Sequence, residues 1–563
     1  MLNSNFQHVL YTNYAPTDAE TQEIRDFCQA PEAEIEALEL EISRLEAALN
    51  VVLQKRDELQ AVVTAHRALL SPIRHLSPEL LQNIFVFCLT EFPAMDVTEA
   101  PLLLGEICKS WKDIVYSTAE LWSYVHAVVP LPNRGGPVLE TLKEWLSRSG
   151  DRPLHISLFA DHTASDIPDF LDLIISFSSR WERINLVLPS NHFQQLDLSF
   201  SERSVLLRHL RCFELGDRLA DHTWPPPFMH PYSEGDGINP LRLLNLCTNL
   251  QHISLRCYQG PFHALLPTSV AAGLYELNVD YPQMFNWDLG QLVTFIAECQ
   301  NLRKLRICAS FDGFVPPDSS LITLPALECL IVELWTVSVD PDPPSHTISF
   351  LNQLSTPSLI HLGLPLVLSV NNAATTLSSL FTRSMCSLRT LSLQLADAQM
   401  DLRPLLSSLE CSTDLRELTI NRWDIGTQVL DIAEEEYDVD RFLLELAYTE
   451  GRIYCPNLIH LTLAGYSGGL SLTSLLTLVQ SRMTPPPGCA SLRCLDLKGI
   501  LFPTMSSGSP SFVLENENPA SESLLKLLME LRERGLTVLL PDPINSAQPT
   551  PWTGLPHQPP YGW

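Results

Sequence analysis

The stretch LRTLSL, residues 388–393, shows the pattern that decides the fold. Its leucines stand at the first, fourth and sixth positions. The same L-x-x-L-x-L spacing, with conservative replacements, recurs in eleven copies. The copies begin at Trp181, Leu210, Leu250, Leu274, Leu302, Leu327, Leu359, Leu388, Leu415, Leu458 and Leu492. Because residues two apart on a strand face the same side, each copy predicts a short strand with one buried face.

The spacing between copies is typical of a repeat protein. Successive copies start 29, 40, 24, 28, 25, 32, 29, 27, 43 and 34 residues apart. Leucine-rich repeats have periods of roughly 20–29 residues, so the longer intervals indicate insertions. Apolar residues at helical spacing lie between copies, as in 289–296, 472–479 and 524–531. We therefore predict an α/β fold, with a right-handed parallel leucine-rich repeat solenoid over residues 181–540.

The N-terminal part of the chain is predicted to be helical. Residues 32–70 are rich in Glu, Ala and Leu, and their apolar positions alternate by three and four. These positions are Ile35, Leu38, Ile42, Leu45, Leu49, Val52, Leu59, Val63 and Leu70. Arg56 and His66 fill the two remaining seam positions. The pattern favours a coiled coil, and packing of this stripe within the chain is the alternative. Residues 1–31 are expected to be disordered.

Residues 71–130 form a second, compact helical segment in our prediction. Ser77 can cap a helix with Pro78 at its first position. Two apolar faces at helical spacing follow, one on each side of a short break. Helices this short cannot bury all of their large side chains, so an apolar patch should remain as an interaction site.

This segment resembles an F-box, in the context found in the F-box-like proteins of mushroom-forming fungi. The resemblance rests on the heptad helix, the element Ser-Pro-Ile-Arg at 71–74, the box itself, and a junction at 145–158 before the repeats. The family usually has proline where Ser77 and Ala119 stand. The resemblance covers about a tenth of the chain at the box and assigns residues 131–180 to the junction.

The resemblance implies a function in protein recognition. F-box proteins bind a Skp-type adaptor, and through it a cullin, while their repeats bind a protein substrate for ubiquitin transfer. By this comparison the adaptor-binding residues are Pro72, Ile73, Leu76, Pro78, Glu79, Leu80, Leu81, Ile84, Phe85, Ile107, Cys108, Trp111, Ile114, Leu121 and Trp122. The alternative is a non-ligase scaffold that forms a weak homodimer through the heptad helix.

Composition narrows the remaining classes of function. The 36 basic and 65 acidic residues give a net charge of −29, which disfavours binding to nucleic acid or anionic membranes. No apolar run reaches the roughly 18 residues of a membrane span, and the start does not resemble a secretory signal. The 14 cysteines include no C-x-x-C pair. We expect a cytoplasmic or nuclear protein without metal or cofactor.

Three further motifs favour structural roles. Gly465–Gly469 matches the G-x-S-x-G elbow of hydrolases, but the only later histidine is His557 in the Pro-rich tail at 541–563, so no enzyme is expected. The acidic run at 434–436 is interpreted as a solvated insertion, with a contact for a basic substrate as the alternative. Cysteines in a C-x-[NS]-L setting, Cys247, Cys299, Cys455 and Cys489, are interpreted as small core residues.

Overall fold

The structure is a computed structural model of the 563-residue chain. It describes residues 5–130, 135–161, 164, 166–189, 192–201, 207–216, 242–256, 266–281, 289–311, 321–336, 346–365, 370–395, 403–410, 412–422, 438–447, 453–464, 472–498 and 536–539. The chain forms two compact units, Met1–Ile84 and Phe85–Trp563. The predicted helix at 524–531 and the Pro-rich tail at 541–563 lie outside the described residues.

The first unit contains the long helix α1, Asp18–Leu69, which begins earlier than expected. The sequence favours a helix that begins at residue 32 and a disordered segment before it. Instead Thr17 and Glu20 form a capping box: the backbone N–H and hydroxyl of Thr17 both donate to Glu20 Oε2, at 2.8 and 2.7 Å. This cap starts the helix ahead of Pro31, which lies inside it.

The heptad residues of α1 are exposed. Between 43% and 64% of the surface of each apolar seam residue from Ile35 to Val63 is accessible. A 3-10 turn, Pro72–His75, follows the helix, and α2 spans Pro78–Phe87. The backbone N–H of Leu80 donates to Ser77 Oγ at 3.4 Å, which confirms the predicted cap.

The second unit is a mixed α/β structure built on one large parallel sheet. Its described helices are α3 Leu102–Ile107, α4 Lys109–Ser117, α5 Gly135–Arg148, α6 Ile167–Ser176, α7 Phe193–Ser201, α8 Thr268–Ala271, α9 Leu289–Glu298, α10 His346–Asn352, α11 Val370–Ser384, α12 Arg403–Leu409, α13 Asp438–Leu446 and α14 Leu472–Met483. Short 3-10 turns span Ala119–Trp122, Ser178–Arg180 and Arg242–Leu246.

Most of the described strands alternate with these helices along the chain. They are β1 Tyr124–Val128, β2 Leu154–Phe159, β3 Trp181–Val187, β4 Cys212–Gly216, β5 His252–Arg256, β6 Glu276–Tyr281, β7 Lys304–Phe311, β8 Ile322–Thr323, β9 Cys329–Thr336, β10 Leu354–Ser355, β11 His361–Pro365, β12 Thr390–Leu395, β13 Glu417–Arg422, β14 His460–Ala464, β15 Cys494–Lys498 and β16 Thr537–Leu539. Fourteen of them form the sheet in chain order, while β8 and β10 pair separately. The expected α/β class is confirmed, as are the helices at 289–296 and 472–479.

The repeat leucines lie in register across this sheet. The central residue of each copy pairs with the central residue of the next, from Ile184 opposite Phe213 to Leu461 opposite Leu495. Every described side chain at the three repeat positions is at most 3% exposed. The side chain of Leu497 lies outside the described residues. The repeated pattern therefore builds one continuous apolar layer, in which each strand covers the leucines of its neighbour.

The sheet begins well before the first copy that the sequence pattern identified. We placed the start of the repeats at residue 181, whereas β1 and β2 precede it. The missed strands continue the same register, with Val125 opposite Ile156 and Ile156 opposite Ile184. The segment predicted as the end of the box therefore contributes β1, and the predicted junction contributes β2. Both copies lack leucine at the first position, where Trp122 and Pro153 stand.

The edge of β1 is covered by the chain that leads to it. The backbone N–H of His126 donates to Pro93 O at 2.8 Å, and Ala94 forms a bridge with His126. Phe92, Pro93 and Ala94 are buried. An uncovered edge strand is prone to pairing with other chains, so this segment closes the sheet at its first strand.

Candidate interaction surfaces

The residues expected to bind an adaptor differ widely in exposure. The exposed ones are Pro72, Ile73, Pro78, Glu79, Leu80, Ile84, Ile107 and Cys108. Half-buried ones are Leu76 and Trp111, and buried ones are Leu81, Phe85, Ile114, Leu121 and Trp122. A docking surface needs accessible side chains, so only the first group can present one without rearrangement.

Four of the five buried members, Phe85, Ile114, Leu121 and Trp122, are core residues of the second unit, whereas Leu81 belongs to the first unit. The Phe85 ring lies 4.7 Å from that of Trp111, and Leu121 is fully buried. Trp122 is also fully buried; its indole N–H donates to Val115 O at 3.0 Å. We expected an apolar patch to remain because helices this short cannot bury all of their large side chains. Phe85 and Trp122 are buried, so neither belongs to such a patch.

Trp122 has a close structural counterpart in the repeats. Trp181 is also fully buried, and its indole N–H donates to Ile174 O, again seven residues back, at 3.1 Å. Both tryptophans stand at the first position of a repeat, directly before a strand. Trp122 therefore belongs to the repeat core, a role that its place in the box pattern concealed.

Exposed apolar side chains follow α2. Leu80, Ile84 and Phe87 recur at i, i+4 and i+7 and are 52%, 40% and 90% exposed. This spacing places them on one face of the helix. In the second unit, Leu103 and Ile107 on α3 are 43% and 58% exposed. The prediction from sequence missed Phe87 and Leu103, although both follow the helical spacing of residues that it named.

A row of polar side chains crosses the sheet on the face opposite the leucines. Each strand contributes the residue just before its central buried position, and these residues pair in register from strand to strand. We call this set the outer row: Tyr124, His155, Arg183, Cys212, His252, Glu276, Lys304, Cys329, His361, Thr390, Glu417, His460, Cys494 and Thr537. None was named from the sequence. It provides an ordered surface of mixed charge.

The densest part of the outer row lies on β3 to β6. The His252 ring lies between two carboxylates, with Nδ1 3.0 Å from Glu276 Oε2 and Nε2 3.6 Å from Glu214 Oε1. Its hydrogen bond holds the pKa of the Glu276 carboxyl below its usual range. Cys212 Sγ donates to Glu214 Oε1 at 3.5 Å, and burial raises the pKa of its thiol. Arg183 Nη2 lies 3.2 Å from the same Glu214 oxygen.

All four C-x-[NS]-L cysteines were predicted to be core residues, and three of them are buried. Cys247, Cys299 and Cys455 are buried, and burial raises the pKa of each thiol to about 12. Cys489 is only partly buried. Thiols with so high a pKa stay protonated, which fits small apolar packing groups.

The elbow-like Gly465–Gly469 and the acidic run at 434–436 lie outside the described residues. Among the described helices, none is both long and apolar enough to cross a membrane. No protein-family model matches the chain, and no curated protein matches it either.

Proposed function

We propose that this chain is the substrate-recognition subunit of a Skp–cullin–F-box ubiquitin ligase, acting in the cytoplasm or nucleus. The exposed apolar face of α2, formed by Leu80, Ile84 and Phe87, carries the proposal. Three large apolar side chains on one short helix are costly to leave in water, and burial against a partner stabilises them by about 25 cal/mol per Å². The Ser-Pro-Ile-Arg element at 71–74 leads into this helix, in the order that the family resemblance implies.

The proposal assigns the sheet-bearing unit as a leucine-rich repeat solenoid that binds the protein substrate. Support comes from the alternation of strands with helices, the buried leucine layer and the in-register parallel pairing. Repeat arrays of this kind offer extended surfaces built from successive units. The outer row is the corresponding surface here. On this view the protein supplies proximity between substrate and ubiquitin carrier and no chemistry of its own.

Adaptor binding tests the proposal directly. The substitution Ile84→Asp places a charge in the apolar face of α2, so it should weaken binding of a purified Skp-type adaptor to the full chain by about 2–4 kcal/mol. The matched control is Leu444→Asp, because Leu444 on α13 is equally exposed at 40%. Calorimetric titration should show binding by wild type and control and its loss in the Ile84 variant. Absence of binding by the wild type would overturn the proposal.

A second candidate function, a dimeric scaffold, is favoured by one observation. The heptad seam of α1 is exposed along its described length. Exposed apolar side chains at a and d positions are stabilised when a second helix covers them. A scaffold would bind partners through the sheet and a second copy through α1, without any adaptor.

A further inference from the structure

Three potential metal ligands converge on the outer face of the sheet, where β4 meets β5. The ligand atoms of Cys212, Glu214 and His252 all lie within 4.8 Å of one another. Within the group, the Sγ–Oε1 distance is 3.5 Å and the Nε2–Oε1 distance is 3.6 Å. Two ligands of a tetrahedral zinc ion, each 2.0–2.3 Å from the metal, are separated by about 3.5 Å. The existing spacing therefore suits one small cation with little movement of the chain.

His252 is oriented as a metal-binding histidine usually is. Its Nδ1 lies 3.0 Å from Glu276 Oε2, so a neutral ring that donates this N–H leaves the Nε2 lone pair free. Nε2 is buried and has no hydrogen-bond partner. Histidine ligands commonly donate their other ring N–H to a carboxylate, which fixes the ring and strengthens the ligand. A cation at Nε2 would satisfy this buried atom.

The charges around the group also favour a dication. Three carboxylates, those of Glu91, Glu214 and Glu276, face two cationic side chains, Arg183 and Lys304. Arg183 pairs with Glu91 as well as with Glu214, so part of its charge is balanced outside the ligand set. A dication that displaces the thiol proton leaves the whole cluster neutral.

We propose that Cys212, Glu214 and His252 form a zinc-binding site on the outer face of the sheet. A set of one sulfur, one nitrogen and one oxygen ligand suits Zn²⁺, whereas Mg²⁺ and Ca²⁺ prefer oxygen ligands alone. Binding breaks the S–H bond and forms a metal–sulfur bond, and the proton is released to solvent. With three protein ligands, a fourth position stays available to water or to a side chain of a bound partner.

The test uses the full chain, freed of metal by a chelator and then titrated with Zn²⁺ in competition with a chromophoric chelator. We expect one tight site in the wild type, lost in Cys212→Ser and in His252→Gln. Glu276→Gln should keep the site but weaken it by about 10–100-fold, because Glu276 only orients the histidine. The matched control is Cys329→Ser, since Cys329 has the same place in the outer row, between Lys304 and His361.

The control lacks a third ligand, because Ile331 stands where Glu214 does in the candidate site. The expected site should therefore persist unchanged in Cys329→Ser. Replacing Zn²⁺ by Co²⁺ gives a second measurement on the wild type. The cobalt complex should show a thiolate-to-cobalt absorption band. Absence of tight binding by the wild type, no thiolate band, or wild-type affinity in His252→Gln would each overturn the proposal.

Discussion

In the second unit, three arginines at the ends of helices form hydrogen bonds with the main chain of the preceding repeat. The guanidinium groups of Arg180, Arg383 and Arg482 each donate to main-chain carbonyl groups about thirty residues earlier, at 2.5–2.9 Å. Arg482 is fully buried and makes four such hydrogen bonds, to Leu446, Tyr454 and Cys455. Carbonyl groups at the ends of helices and turns lack partners of their own, so these side chains satisfy them.

Arg482→Lys should destabilise the protein although it conserves the charge. A planar guanidinium with five N–H groups reaches three separate carbonyls, whereas an ammonium group has three donors at one point and would leave a buried acceptor unpaired. We expect the free energy of unfolding to fall by about 2 kcal/mol or more in chemical denaturation. Arg441→Lys is the control, because Arg441 is 60% exposed and pairs only with Glu445 among described partners. Equal stability of the two variants would contradict this role.

At the scale of elements, the strands that carry leucine were predictable and the first two were not. The leucines at positions 388, 391 and 393 predict the buried face of a strand from residue type alone. In β1 the equivalent residues are Trp122, Val125 and Ala127, which fit a helix or strand equally well. Only the neighbouring strand decides between them, because β2 supplies the hydrogen bonds and the apolar cover that keep β1 extended.

The outer row and its cysteine–histidine cluster could not be read from one sequence for a different reason. Cys212 and His252 are 40 positions apart, and the intervals between other repeats differ from this one. Their proximity follows from the pairing register of β4 and β5, which the leucine layer fixes and the sequence spacing does not reveal. By contrast, the helix face of Leu80 and Ile84 follows from local spacing, and that part was predicted.

The exposed apolar seam of α1 predicts weak self-association of the chain. Ile42→Lys places a charge on the apolar seam, so it should abolish weak dimerisation of the full chain, as a charged seam residue opposes pairing. Leu40→Lys is the matched control on the same helix, because Leu40 is 73% exposed and lies off the seam. Sedimentation over a range of concentrations should show a rising mass for wild type and control only. A monomeric wild type at hundreds of micromolar would exclude the dimer.

For the molecule as a whole, the leucine layer predicts cooperative unfolding of the sheet. Leu391 on β12 is fully buried, and its replacement by alanine should lower the free energy of unfolding by about 2–5 kcal/mol. Because each strand needs its neighbours, protection of amide hydrogens from exchange should fall in distant β3 as well as in β12. The control Leu444→Ala removes an exposed leucine and should change little. Loss of protection confined to β12 would show that the repeats unfold separately.

Trp122 and Ile84 should separate stability from binding, although the box pattern groups them together. Trp122 is enclosed by the second unit, with its ring 4.8 Å from that of Trp145, so Trp122→Ala should lower the free energy of unfolding by about 3–5 kcal/mol. Ile84→Asp changes an exposed position and should alter stability by no more than about 0.5 kcal/mol, while it weakens adaptor binding by about 2–4 kcal/mol. Denaturation curves of both variants measure the change in stability. Adaptor titrations under conditions where both variants are folded measure the change in binding. Unchanged stability with lost binding in Trp122→Ala would instead make Trp122 a contact residue, as the family resemblance implied.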